Sequence, residues 1–158
     1  MPPIYDVTDH LTTRPWAEDS RRTKEMLLDC VAHNLAQNDI AVLFKFDQTV
    51  VVERLEAIIK TACGSSVTFD VGMYSDAGTT TADLDSLLDG MDGNAAAGTY
   101  ASSLTVSGDP GAQVASGAGI YLAGTTAAPK YICAKILGAA SALGKVLFRV
   151  HYSNVHMP

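Results

Sequence analysis

Val67-Thr68-Phe69-Asp70-Val71-Gly72-Met73-Tyr74 places apolar residues at odd positions and polar residues or Gly at even ones, until Tyr74. A side-chain period of two sends one row into a core and the other towards water, which is the pattern of a half-buried strand. Residues 145–153 repeat it in the opposite phase. Val146, Phe148, Val150 and Tyr152 form the apolar row, and Lys145, Arg149, His151 and Ser153 the polar one, with Leu147 as the exception. Antiparallel sheets commonly keep one wet face. These two stretches predict a β-sandwich or barrel, not a helical enzyme scaffold.

Working outward, Ile40-Ala41-Val42-Leu43-Phe44-Lys45-Phe46 reads as a strand with Ile40, Val42, Phe44 and Phe46 on one face. Asp47-Gln48-Thr49 turns the chain into a long strand over residues 50–61, with Val51, Leu55, Ala57 and Ile59 on one face and Glu53 breaking the row. Gly64-Ser65-Ser66 makes the turn into 67–74, a hairpin signal. Later strands are predicted over 100–107, 119–123 and 129–137, the last with Ile132, Ala134 and Ile136 facing one way. Asp109-Pro110-Gly111 is a turn, and residues 138–144 form the hairpin into the final strand. Seven or eight strands without β-α alternation suggest two packed sheets.

Two segments are less direct. In residues 24–33, Leu27, Val31 and Leu35 have helical spacing, whereas Met26, Leu28, Cys30 and Ala32 alternate as in a strand. Periodicity alone does not separate these readings. Residues 81–91 read as a short helix. Thr80 or Thr81 caps it, Asp83 and Asp85 suit its N-terminal dipole, and Leu84, Leu87, Leu88 and Met91 make an apolar stripe ended by Gly90 or Gly93. Residues 1–23 hold Pro2, Pro3 and Pro15, with Tyr5 and Trp16 as isolated aromatics and no apolar period. They read as an N-terminal arm, ordered by a partner or not at all. The domain division is therefore an arm, 1–23, and a β-sandwich, 24–158.

A chain of 158 residues fits one domain. It has no apolar run near the ~20 residues of a membrane span and no secretory signal pattern. Cys30, Cys63 and Cys133 are odd in number and form no CxxC, which predicts reduced, buried thiols made in a cytosol, or else one disulfide and a free thiol. The net charge of −6 argues against nucleic acid as a partner. Residues 61–129 carry seven Asp and no Lys or Arg, whereas 130–158 carry Lys130, Lys135, Lys145 and Arg149 and no acid. Antiparallel packing could join these blocks within one subunit or between subunits.

Candidate chemistry is sparse. Asp83, Asp85, Asp89 and Asp92 fail the EF-hand spacing, because Leu87 and Leu88 stand where a ligand and the Gly belong. His10, His33, His151 and His156 form no HExxH or HxH pair. Cys30 and His33 would share a face only on a helix, and two ligands are too few. His151 reads as an exposed or interface histidine. GxSxG, GxxxxGK[ST] and GxGxxG are absent. The expectation is no enzyme, no metal and no cofactor.

Asn38-Asp39-Ile40-Ala41-Val42-Leu43-Phe44-Lys45-Phe46, then residues 67–78, then Thr81-Ala82-Asp83-Leu84, and the ending Gly144-Lys145-Val146-Leu147-Phe148-Arg149-Val150-His151-Tyr152 resemble a family of small tailed-phage virion proteins. The resemblance spans about residues 24–153. It implies a jelly-roll-like sandwich and a head decoration (cement) role beside the major capsid protein, commonly as a homotrimer. It also implies a strand over 24–33. The location would be the capsid surface of a virion, after synthesis in the host bacterial cytoplasm. No active site is carried over. The arm and residues 154–158 depart from the pattern. Within the arm, Tyr5, Arg14, Trp16, Arg21 and Arg22 are the candidate partner-binding residues. The competing reading is a carbohydrate- or receptor-binding sandwich of a tail or head fibre, which needs an exposed aromatic platform; Tyr100 and Tyr121 are its candidates.

Overall fold

The computed structural model describes residues 21–75, 81–102, 120–141 and 143–155, and the backbone of 4–7; for 81–85 the backbone alone is described. Ten strands occur among these residues: β1 (Ile4–Val7), β2 (Arg21–Asp29), β3 (Ile40–Phe46), β4 (Thr49–Thr61), β5 (Thr68–Tyr74), β6 (Thr81–Asp92), β7 (Tyr100–Ser102), β8 (Ile120–Ala123), β9 (Lys130–Leu137) and β10 (Lys145–Asn154). One helical turn, α1 (Cys30–His33), follows β2.

The strands form two antiparallel sheets. One has the order β1-β2-β10-β4, with β7 and β8 both pairing along the far edge of β4; the other has the order β3-β9-β5-β6. The pairs are nested. Strand β2 meets β10, β3 meets β9, β4 meets β8 and β7, and β5 meets β6. A long antiparallel hairpin rolled up on itself gives this order, which is that of a jelly roll. Strand β1 adds one more pair outside β2, from Ile4 opposite Met26 to Val7 opposite Thr23.

The core lies between the two inner faces. Val146, Phe148, Val150 and Tyr152 of β10 are all buried, as are Phe69 and Val71 of β5 and Ile132, Ala134 and Ile136 of β9. The sheets are joined by edge-on ring contacts, Phe69 with Phe148 at 6.4 Å and Phe46 with Tyr152 at 5.1 Å. Full burial of such a side chain is worth about 1.5–3 kcal/mol, so these alternating rows are the main source of stability.

Three expectations change. The 81–91 helix is strand β6. Its apparent helical stripe comes from irregular pairing: Phe69 faces Met91, Val71 faces Leu88, and Met73 faces Asp83. Extra residues on β6 reset the alternation, so Leu87, Leu88 and Met91 are all buried. Gly90 sits at φ 60° in one of these irregular stretches, and its N–H donates to Asp70 Oδ1 at 2.8 Å. In β4, Glu53 is an extra residue between Arg54, opposite His151, and Val52, opposite Tyr152. The core row is therefore Val50 and Val52 before it and Leu55, Ala57 and Ile59 after it, and half-buried Val51 is not in the row. In β3, a register shift between Val42 and Phe44 puts Leu43 and Phe44 both inside.

The ambiguous segment contains both structures. Strand β2 runs to Asp29, whose Oδ1 accepts from Val31 N and Ala32 N and starts a single helical turn that Asn34 ends in the left-handed region. This turn is the short helix of the chain among the described residues.

Candidate functional site

The outer face of the larger sheet carries a set of side chains arranged in rungs across β2, β10 and β4. Register places Asp29, Lys145 and Thr61 on one rung, Leu27, Leu147 and Ile58 on the next, then Glu25, Arg149 and Glu56, then Thr23, His151 and Arg54. Opposed side chains in such rungs are in direct reach. Lys145 Nζ lies 2.8 Å from Asp29 Oδ2. Arg149 binds Glu25 on one side and lies 3.5 Å from Glu56 Oε2 on the other. Below them Ser153 donates to Glu53, the bulged residue of β4, and Arg21 lies 3.5 Å from the same carboxylate.

Glu56 is the centre of this face. It is only 6% exposed, and it needs partners because a buried carboxylate is costly unless paired. Tyr100 donates its hydroxyl to Oε1 at 2.9 Å, and Arg54 lies 3.2 Å from the same oxygen. His151 Nε2 lies 3.1 Å from Oε2 in a contact that misses hydrogen-bond geometry, while its Nδ1 meets Thr23 Oγ1 at 3.2 Å. Burial pushes the Glu56 carboxyl up, but His151, Tyr100 and Arg54 together outweigh it and hold the group below its usual value. Asp29 is likewise lowered, first by Lys145 and then by the backbone N–H of Ala32.

Sequence reading named the polar row of β10 but not its centre. Glu56 lies inside an otherwise apolar strand; only the outward phase of Glu53-Arg54-Leu55-Glu56 signals it. His151, read from sequence as an exposed or interface histidine, is a half-buried member of the network. Lys145 and Arg149 of the basic block find ion-pair partners within the same chain at Asp29, Glu25 and Glu56, outside the acidic block, while Lys135 stands opposite Asp70 of that block in the β9–β5 ladder.

The other candidates are dispersed. Asp92 stands opposite Thr68 and Asp83 opposite Met73, five residues or about 17 Å apart along β5, which is too far for one cation. Asp92 Oδ1 accepts from Asn94 N. Among the described residues no three His, Cys, Asp or Glu side chains converge as a metal site. His33 is exposed at the end of α1. Cys30, Cys63 and Cys133 are buried free thiols. Of the arm candidates, Arg21 and exposed Arg22 begin β2, and Tyr5 lies in β1 opposite Glu25. Arg14 and Trp16, like His10 and His156, lie outside the described residues, as does the predicted 103–107 end of the strand at 100.

Tyr100 and Tyr121 are each about half exposed. Tyr100 stands opposite Ile58 and Tyr121 opposite Val51. Seven residues of β4 separate those positions, about 23 Å at strand rise, so the two rings are not one platform.

No family model matches the chain, and no curated protein does. Solved structures do align with nearly all of it. A chain in the capsid of Ralstonia phage GP4 is 17% identical with a TM-score of 0.57, covering 99% of this chain and 92% of that one. A chain in the capsid asymmetric unit of cyanophage Pam1 is 14% identical with a TM-score of 0.51, covering 98% of this chain and 100% of that one. At these identities the likeness is one of fold.

Proposed function

We propose that this protein is a structural component of a phage particle, a decoration (cement) protein that binds across major capsid protein subunits at the capsid surface, as a homotrimer. The observation that carries this reading is the jelly-roll order spanning the whole described chain, together with its end-to-end similarity to chains of two phage capsids. The role is mechanical. Many weak joints repeated over a shell give a large total restraint on expansion. A rigid two-sheet body with fixed outer charges suits such a joint, because polar, charge-matched rims select the partner and register. The arm residues Tyr5, Arg14, Trp16, Arg21 and Arg22 are the anchors in this reading, since aromatic and Arg side chains carry most interface energy.

The fibre reading is disfavoured by the separation of Tyr100 and Tyr121 along β4. The test is a reconstruction of particles assembled with and without the chain. The expected result is density for three copies around a symmetry axis, bridging capsid subunits, and lower thermal stability of particles that lack it. Density only on a tail or fibre, or isolated single copies on the shell, would overturn the reading.

A further inference from the structure

We propose that Cys30 and Cys63 form a latent disulfide, an oxidation site at one end of the sandwich that hydrogen peroxide closes to tie the end of β2 to the end of β4. The inference concerns the chain itself and does not depend on the particle reading. The two Sγ atoms lie 3.9 Å apart, and the residues are 0% and 1% exposed. Gly144, just before β10, lies against both residues.

Lys145 faces Asp29 on one side and Thr61 on the other, so the start of β10 runs between the two cysteine-bearing ends. Cys30 N donates to Gly144 O at 3.1 Å. Gly144 has φ 86°, and a Cβ on it would lie 2.5 Å from Cys63 Cα and from Ala62 O, so only Gly permits this approach. Ser141 Oγ contacts Cys63 O at 3.0 Å and Leu143 O at 2.8 Å. Cys133 is on β9, opposite Gly72 in the other sheet, and is not part of this cluster.

The pair is polarised. The hydrogen bond with Cys63 holds the Cys30 thiol below its usual value, and the same contact, with burial, pushes Cys63 up. Of the two, Cys30 is the more readily ionised and so the attacking sulfur. Cys30 gives its proton to solvent and the thiolate attacks one peroxide oxygen; an S–O bond forms, the O–O bond breaks, and the leaving hydroxide takes up a proton from solvent as the first water. Cys63 sulfur then attacks the sulfenic sulfur; the S–S bond forms, the S–O bond breaks, and the departing hydroxide takes the Cys63 proton as water. Two thiols become one disulfide and one peroxide becomes two waters. The sulfurs must close to about 2.05 Å. The backbone is held on both sides, Cys30 N by Gly144 O at 3.1 Å and Cys63 N by Gly93 O at 2.8 Å, so the closure needs rotation of the two side chains together with a local shift at these strand ends.

The test uses the full chain, purified reduced, treated with hydrogen peroxide and then denatured in an alkylating agent. Peptide mapping without reduction should recover Cys30 joined to Cys63, two hydrogens lighter than the separate peptides, with Cys133 alkylated. The melting temperature should rise by roughly 5–10 °C and return on reduction. Cys133→Ser should change neither result, and Cys63→Ala should abolish both. Recovery of both Cys30 and Cys63 in alkylated form, or a bond that includes Cys133, would overturn the proposal. If Cys63→Ala does not fold, the map of the unaltered chain decides alone.

Discussion

Tyr74 ends the stretch in which alternation first shows, and it breaks that alternation. Its ring is 1% exposed, and its hydroxyl has no hydrogen-bond partner among the described residues. Burial, with the nearby Cys133 and Asp70, pushes its pKa up to about 12. The unfolded chain ionises near 10, so stability is full below pH 10 and falls as the pH rises towards 12. Tyr74→Phe removes an unpaired buried hydroxyl. It should stabilise the protein by about 1 kcal/mol in urea melts and reduce the alkaline loss. A destabilised variant would show that the hydroxyl has a partner. Five residues earlier, Phe69 is fully buried against Phe148, and Asp70 faces outward to Gly90 N. Phe69→Ala should cost ~3–5 kcal/mol. Asp70→Asn keeps an acceptor for Gly90 and should cost under about 1 kcal/mol. The reverse order in denaturant melts would put the register of β5 off by one.

At the scale of elements, legibility followed regularity. Strands β5, β9 and β10 carry no inserted residue in their ladders, and alternation alone identifies the inward-facing row of each. Strands β3, β4 and β6 each contain an irregularity, and each was misread at that point. A bulge shifts the phase by one residue, so Val51 is placed on the wrong face and Leu43 enters the core unannounced. Several of them in β6 imitate a helical stripe. Local pattern cannot show a bulge, because it exists only relative to the partner strand. For the same reason the rung Glu25, Arg149 and Glu56 was invisible: three strands supply it, from residues up to 124 apart. That network sets an acid limit. The Glu56 and Asp29 carboxyls are lowered from 4.5 and 3.8, so the stability they contribute is complete above those values and is lost as pH falls through their folded-state values. Glu56→Gln keeps an acceptor for Tyr100 but removes the charge. It should cost about 1 kcal/mol at pH 7 and flatten the stability profile below pH 4.5, as read by melts across pH. An unchanged acid profile would mean that Glu56 does not carry the dependence.

At the scale of the molecule, the N-terminal residues have two roles to separate. Four of them form β1, which covers the outer edge of β2 from Thr23 to Met26. An uncovered strand edge presents free N–H and C=O groups and invites pairing with another chain. The β2–β10 ladder, nine pairs long, does not depend on β1. Removing residues 1–20 should therefore leave the two sheets folded, lower the melting temperature by roughly 3–6 °C, and make the protein associate as concentration rises, through the bared β2 edge. Light scattering at two concentrations and thermal melts read these effects. Equal melting of full and truncated chains would show that β1 adds nothing to the sheet. The same truncation tests the arm as an anchor, because it also removes Tyr5, Arg14 and Trp16 while leaving Arg21 and Arg22 in place. Added to particles at a concentration where it is monomeric, the truncated protein should bind more weakly than the full chain. If it decorates them equally well, the anchoring surface lies on the sandwich, and the charged face around Glu56 becomes the contact to mutate.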